Sequence, residues 1–229
     1  MNNLQTVKLV LVFVTAYLLG SVDFGIIVSK HMFKDDVRNY GSGNAGTTNM
    51  LRTFGLKRAA ITVVGDALKG FVGVLIAKEI FKAAPLIAVK GFFTPPVMRE
   101  IAVYTAVLAA VIGHMYPLFF KFKGGKGVAT GFGGMLRASP VVSLLAISVF
   151  AVIALTTKIV SLASVTACVS FFVFTLAIQL YTHTFGASNA VIQLIAAFVL
   201  PSLVIYAHRG NIKRLLNGTE YKFGRNKKQ

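Results

Sequence analysis

Charge is scarce in this 229-residue chain: Asp, Glu, Lys and Arg make up 14% of it, where a globular domain carries about 25%. The shortage is sharpest for acids, seven in all against 24 Lys and Arg. Seven acids with one adjacent pair, Asp35 and Asp36, do not supply the aspartate cluster of a two-metal phosphotransferase. A single cysteine, Cys168 inside an apolar run, excludes an intramolecular disulfide framework and any Cys-rich zinc or iron–sulfur site. Tryptophan is absent too, which excludes nothing. In place of charge the chain carries long runs of Phe, Val, Leu, Ile and Ala, 55% apolar residues in total. A soluble domain is excluded, and a polytopic helical membrane protein is expected. The net charge of +17 alone would suggest nucleic acid. Nucleic-acid domains are not this apolar, so no nucleic acid is expected; membrane lipids or phosphorylated ligands are the partners such charge implies.

Apolar runs at 6–28, 59–80, 100–120, 140–157, 159–181 and 188–207 are each near the ~20 residues that span a bilayer. The first lacks a cleavage site after a short core and is expected to be retained as a span. A weaker stretch between Lys126 and Pro140 is either a short crossing or a re-entrant loop. If it crosses, 17 Lys and Arg fall on one side and five on the other, with Lys69 and Lys78 inside a span. If it does not, the basic clusters split across both faces. The positive-inside rule therefore favours seven transmembrane helices, N-terminus outside and C-terminus cytoplasmic, in an all-α fold of one domain over residues 1–229.

Polar chemistry collects on the inner face. Residues 39–55 read N-Y-G-S-G-N-A-G-T-T-N-M-L-R-T-F-G: three glycines allow close backbone approach, Ser42, Asn44, Thr47, Thr48 and Asn49 offer hydrogen bonds, and Arg52 offers a planar fork for phosphate. A loop of this kind entering a helix is a phosphate cradle, though not a Walker A loop. A second cluster runs from His114 to Thr130, where Lys121, Lys123 and Lys126 surround Gly124, Gly125 and Gly127. Exposed amides among three ammonium groups form another anion site, whereas a plain positive-inside loop needs no interleaved glycines. His114 reads as a helix-end hydrogen-bonding residue rather than a catalyst. Lys158 and Ser161 reach the same interface, as do His208, Arg209, Asn211 and Glu220 near the C-terminus. His208 and Asn211, three apart, would share a helical face. Glu220 is expected to fix Arg or Lys geometry, and Asp66 and Lys69, three apart within a span, to neutralise each other in a structural role. Asp23 is ambiguous.

Taken together, G-S-G-N-A-G-T-T-N-x-L-R, G-H-x-Y-P-x-F-F-x-F-K-G-G-K-G-V-A-T and H-R-x-N-I-x-R-L-L-x-G-T-E-x-K resemble the three cytoplasmic motifs of the bacterial PlsY family, the acyl-phosphate:glycerol-3-phosphate acyltransferases. D-A-L-K-G and K-I-V-S-L look like family elements as well, so the resemblance covers nearly the whole chain. Ala45 stands where the family often has Pro, Thr47 where Ala is common, and Lys158 where Arg is usual. Segment 82–99 looks like a lineage-specific outer loop.

The resemblance implies transfer of a fatty acyl group from acyl phosphate to the 1-hydroxyl of glycerol 3-phosphate, giving lysophosphatidic acid and phosphate at the cytoplasmic face of the bacterial inner membrane. It implies no cofactor or metal, and as a partner the enzyme that supplies acyl phosphate. By motif position Ser42, Arg52, Lys123, His208 and Asn211 would hold glycerol 3-phosphate. Asn44, Gly46, Thr48, Gly124, Gly125, Lys126 and Ser161 would hold acyl phosphate, and Ser42, His208 and Asn211 would act in catalysis. A mixed anhydride is already activated, so no covalent nucleophile is required. The H-x-x-x-x-D acyltransferase motif is absent: Leu118 and Phe119 follow His114 at the fourth and fifth positions. The base is either Ser42 relayed through His208 or a substrate phosphate oxygen, with the substrate favoured. The alternative reading is a transporter of phosphorylated metabolites or anionic lipids, which would place polar residues along a membrane path and often show repeats; no repeat is visible.

Overall fold

The computed structural model describes residues 3–82 and 94–224. Most of the expected outer loop, residues 83–93, lies outside the described residues. Among the described residues there are ten α-helices: α1 (Asn3–Gly20), α2 (Phe24–Phe33), α3 (Thr47–Phe54), α4 (Leu56–Lys82), α5 (Pro95–Met115), α6 (Val128–Ala138), α7 (Pro140–Thr157), α8 (Val160–Tyr181), α9 (Ser188–Ala207) and α10 (Arg209–Leu216).

The first apolar run is two helices rather than one. After Gly20 the chain breaks, and Asp23 restarts it by accepting a hydrogen bond from the Ile26 amide at 3.2 Å, as N-cap residues do. Proline opens both α5 and α7, where its missing N–H costs nothing. Lys34 and Lys158 close α2 and α7 in the left-handed region, at φ +54° and +61°.

Among the described residues, six segments are long and apolar enough to cross a membrane: Asn3–Phe33, Leu56–Lys82, Pro95–Phe120, Pro140–Thr157, Val160–Tyr181 and Ser188–Ala207. The weak stretch forms α6, whose 11 residues rise only about 16 Å. It lies against α4, α5 and α7. Leucines and valines such as Val7, Leu68, Leu144 and Leu155 are exposed along the bundle, suited to lipid contact.

The enclosed centre is α5, packed by α1, α4, α6 and α9, with Ala102, Ala106, Ala109 and Ala110 fully buried. Small residues of this kind let membrane helices approach closely. The tightest crossing is α4 with α6. A Cβ on Gly133 would sit 1.9 Å from the Ala67 carbonyl oxygen, and one on Gly70 would sit 2.0 Å from that of Thr130. This crossing fixes the N-terminus of α6 relative to Asp66 and Lys69 on α4. Gly133→Ala should therefore lower the melting temperature in detergent by several degrees, in line with ~1–3 kcal/mol for overpacking. An unchanged Tm would contradict the close approach.

Candidate active site

The loop before α3 is shaped by Asn49. Its side-chain nitrogen donates to the carbonyls of Val37 (2.9 Å) and Tyr40 (3.0 Å), and its oxygen accepts from the Ser42 amide at 3.0 Å. This buried amide folds residues 37–42 back on the helix and carries Ser42 to the rim of a cavity. Asn44 accepts from the Gly46 amide at 3.0 Å and donates to the Gly124 carbonyl at 3.3 Å, joining the two glycine-rich loops. Arg38, which drew no attention in the sequence, joins them again: it is paired with Asp36 at 2.7 Å and donates to the carbonyls of Phe120 (2.9 Å) and Lys123 (2.8 Å).

The second loop departs from expectation. Lys121 and Phe122 both adopt positive φ, +59° and +56°, which reverses the chain and leaves Lys123 exposed and away from the cavity wall. The Gly124 and Gly125 amides are not open to a ligand; they donate to the carbonyls of Met115 (3.2 Å) and His114 (3.1 Å). Their lack of side chains serves packing, since a Cβ on Gly124 would meet the His114 carbonyl at 2.0 Å and one on Gly125 the His114 ring at 2.1 Å. Of the expected anion groups in this loop, Lys126 and the opening turn of α6 line the cavity.

Glu220 organises the third side. Its carboxylate accepts from Arg214 Nε (2.7 Å), Asn211 Nδ2 (2.7 Å) and Ser161 Oγ (3.0 Å), so one acid holds α8, α10 and the tail together. Against its burial, these bonds and the Arg214 charge keep its pKa below the usual carboxylate range. Asn211, oriented by Glu220, accepts from Lys126 through its oxygen. His208 occupies the joint between α9 and α10. Its Nδ1 lies 2.8 Å from the Val204 carbonyl; a carbonyl only accepts, so the proton sits on Nδ1 and Nε2 keeps a lone pair. Burial and the Lys126 charge push His208 down to about 4, so the ring is neutral at physiological pH.

Beneath the cavity lies a buried polar cluster. Lys69 Nζ contacts Asp66 Oδ1 (2.8 Å), His114 Nδ1 (2.9 Å) and the Val22 carbonyl (2.8 Å), with Asp23 Oδ2 3.8 Å from His114. The expected Asp66–Lys69 pair is present. Asp23 and His114 join it, tying α4, α5 and the α1–α2 break, and His114 in turn seats Gly125. Asp66 and His114 also reach the cavity wall.

The cavity has three connected parts. A chamber of about 310 Å³ is lined by residues of all three polar segments, including Thr48, Lys126, Ser161 and His208. On one side it shares Ser42, Asn44, Arg52, Lys126, Asn211 and Arg214 with a polar mouth of about 590 Å³. On the other it shares Gly127, Val128, Phe132, Ile147, Phe150 and Ser164 with an almost wholly apolar slot of about 100 Å³ that runs to Cys168, Phe171 and Pro201. The N-termini of α3, α6 and α8 line the chamber, and none of the three is capped by a side chain. Each contributes roughly half a positive charge, beside the cations Arg52 and Lys126. The arrangement can hold anions at the end of an apolar channel.

Residues 10–218 match the family model of glycerol-3-phosphate acyltransferase. The chain belongs to that family. A glycerol-3-phosphate acyltransferase of Clostridioides difficile (strain 630) is 42% identical over 218 residues, 95% of this chain and 97% of the relative. Another, of Aquifex aeolicus (strain VF5), is 42% identical over 216 residues, 94% of this chain and 100% of the relative. Among solved structures, PlsY (YgiH), described as an integral membrane glycerol 3-phosphate acyltransferase, matches in its glycerol 3-phosphate form with a TM-score of 0.75 at 40% identity, covering 94% of this chain and 96% of that one. Its lysophosphatidic acid form matches with a TM-score of 0.74. The family resemblance read from three loops thus extends along the chain, and the protein is an acyltransferase of the membrane.

Burial pushes the Lys126 ammonium down to about 8; Arg214 and Arg52 act in the same direction and Glu220 opposes them. Lys126 is therefore charged below about pH 8 and loses its proton above it. Sulfate, which does not titrate in this range, should bind the purified protein less tightly as pH rises through about 8. Lys126→Arg should remove that dependence. His208, neutral above about pH 4, should add no inflection near its ordinary value. Wild-type affinity that stays flat across that range would contradict the placement of Lys126.

Proposed function

We propose that the chamber transfers a fatty acyl group from acyl phosphate to the 1-hydroxyl of glycerol 3-phosphate, giving lysophosphatidic acid and inorganic phosphate. The observation that carries this reading is the single chamber between a polar mouth and an apolar slot. An acyl phosphate fits it with its tail in the slot and its phosphate among the helix N-termini, while a small polar phosphate ester enters through the mouth. The names of the relatives support the acceptor, and the shape and charge of the cavity support the donor.

In this reading Ser42, Arg52, His208 and Asn211 hold glycerol 3-phosphate. Asn44, Gly46, Thr48, Ser161 and the first turn of α6 hold acyl phosphate, and Lys126 lies between the two anions. The 1-hydroxyl attacks the acyl carbonyl carbon, the carbon–oxygen bond to phosphate breaks, and phosphate leaves with the bonding pair. Helix N-termini and Lys126 stabilise the charge on the carbonyl oxygen and the leaving group. The hydroxyl proton passes to a phosphate oxygen. The His208 Nε2 lone pair can accept a hydrogen bond from the acceptor, but a ring so hard to protonate is a poor store for the proton. Catalysis then comes mainly from alignment of two bound substrates.

The same reading makes α6 a short seventh crossing, with the N-terminus outside and the polar segments on the cytoplasmic face of the inner membrane. That orientation puts 17 Lys and Arg inside against five outside. It also opens the mouth toward soluble substrates and, among partners, toward an enzyme that supplies acyl phosphate.

Purified protein given palmitoyl phosphate and glycerol 3-phosphate should release phosphate and lysophosphatidic acid in equal amounts, and should give neither with palmitoyl-CoA as donor. Ser42→Ala and Arg52→Ala should each cut turnover by about a hundredfold or more while the protein remains folded in detergent. Turnover with palmitoyl-CoA alone would sink the donor assignment, and near-normal rates in both variants would sink the site.

A further inference from the structure

The third motif leaves open the position after Glu220, and the structure gives that residue a partner. The Tyr221 ring lies with its centroid 3.9 Å from the Arg52 guanidinium carbon. Cation–π pairs occur about once per 70–80 residues, so the contact alone carries little. Its surroundings carry more. Arg52 lines both chamber and mouth, and its Nε is buried with no hydrogen-bond partner among the described residues. Tyr221 is held from both sides. Before it, Glu220 is fixed by Arg214, Asn211 and Ser161. Two residues after it, the Phe223 amide donates to the Lys158 carbonyl at 2.9 Å and the Lys158 ammonium lies 5.4 Å from the Phe223 ring centroid. A tail pinned at 220 and 223 holds the ring beneath the guanidinium.

We propose that Tyr221 is a positioning residue for the acceptor: it stacks on the face of the Arg52 guanidinium and leaves the N–H edge to take the phosphate of glycerol 3-phosphate. This rests on the assignment of Arg52 to that phosphate. A planar fork binds phosphate through its edge, and a long arginine side chain loses rotamer freedom when it does so. A ring on its face reduces the orientations to be lost on binding and leaves the hydrogen bonds free. Only the aromatic face is needed, because a phenyl ring carries the same quadrupole. The predicted effect falls on acceptor affinity and spares the donor, most of whose assigned groups (Gly46, Thr48, Ser161 and the first turn of α6) line the chamber but not the mouth.

The test is steady-state kinetics of the full-length enzyme in detergent with both substrates varied. Tyr221→Phe should keep KM for glycerol 3-phosphate within about twofold of wild type. Tyr221→Leu should raise it about five- to tenfold, with kcat, KM for palmitoyl phosphate and Tm little changed. Tyr221→Met is the second variant should leucine lower Tm. In an Arg52→Lys background, Tyr221→Leu should add little, since the flat guanidinium is already gone. A wild-type acceptor KM in Tyr221→Leu and Tyr221→Met, an equal rise in both KM values, or a defect in Tyr221→Phe as large as in Tyr221→Leu overturns the proposal. Arg52→Ala separates the two layers. If it keeps acceptor affinity, the assignment of Arg52 fails and this proposal with it; if it abolishes turnover while the Tyr221 variants are silent, only the role of Tyr221 falls.

Discussion

Phosphate and hydrocarbon make opposite demands on one cavity, and in the proposed reading most of the geometry around the chamber follows from meeting both. An anion next to an apolar slot must regain in fixed dipoles and cations what it loses in water. What the chamber offers an anion is the uncapped starts of three helices, two of which follow glycine, with Arg52 and Lys126 drawn from different segments. Burial is the main cause that lowers the Lys126 pKa, and repulsion from Arg214 and Arg52 adds to it. Glu220 is the counterweight: its charge opposes that shift, and its carboxylate orients Arg214 and Asn211.

Helix N-termini aim at one point only if the helices are locked. The α4–α6 crossing does part of this through glycine at the contact. The rest falls to the buried cluster of Asp23, Asp66, Lys69 and His114, which joins α1, α2, α4 and α5 below the chamber and then holds Gly125 against the His114 ring. Breaking one member would leave uncompensated charge in the membrane interior. The cluster thus supports the loop that leads into α6, and through Asp66 and His114 it also forms part of the chamber wall.

The six long apolar spans, the Gly-rich loop entering α3 and the Asp66–Lys69 pair were legible in the sequence, because each rests on a local pattern: hydropathy, glycine spacing, or charges three residues apart; the ion pair of Glu220 was legible from its rarity as an acid among basic residues. Lys123 was not. Nothing in K-F-K-G-G-K announces that Lys121 and Phe122 take left-handed conformations, yet that reversal decides which lysine faces the cavity. Gly124 and Gly125 read as open amides because their partners are carbonyls of a preceding helix, a tertiary fact. Arg38 and Tyr221 went unnoticed for the same reason; each acts on a partner far away along the chain. Asn49 stood out only as one polar residue among several, although its three hydrogen bonds shape the loop.

The account depends most on where the acceptor's phosphate sits. A crystal structure of the protein soaked with glycerol 3-phosphate reads this directly. The account predicts a phosphate within hydrogen-bond reach of the Arg52 guanidinium and the Ser42 hydroxyl, between the mouth and the chamber, with the glycerol hydroxyls toward His208 and Asn211. Density for the ligand on the outer lysines, Lys121 and Lys123, with Arg52 left uncontacted, would contradict it.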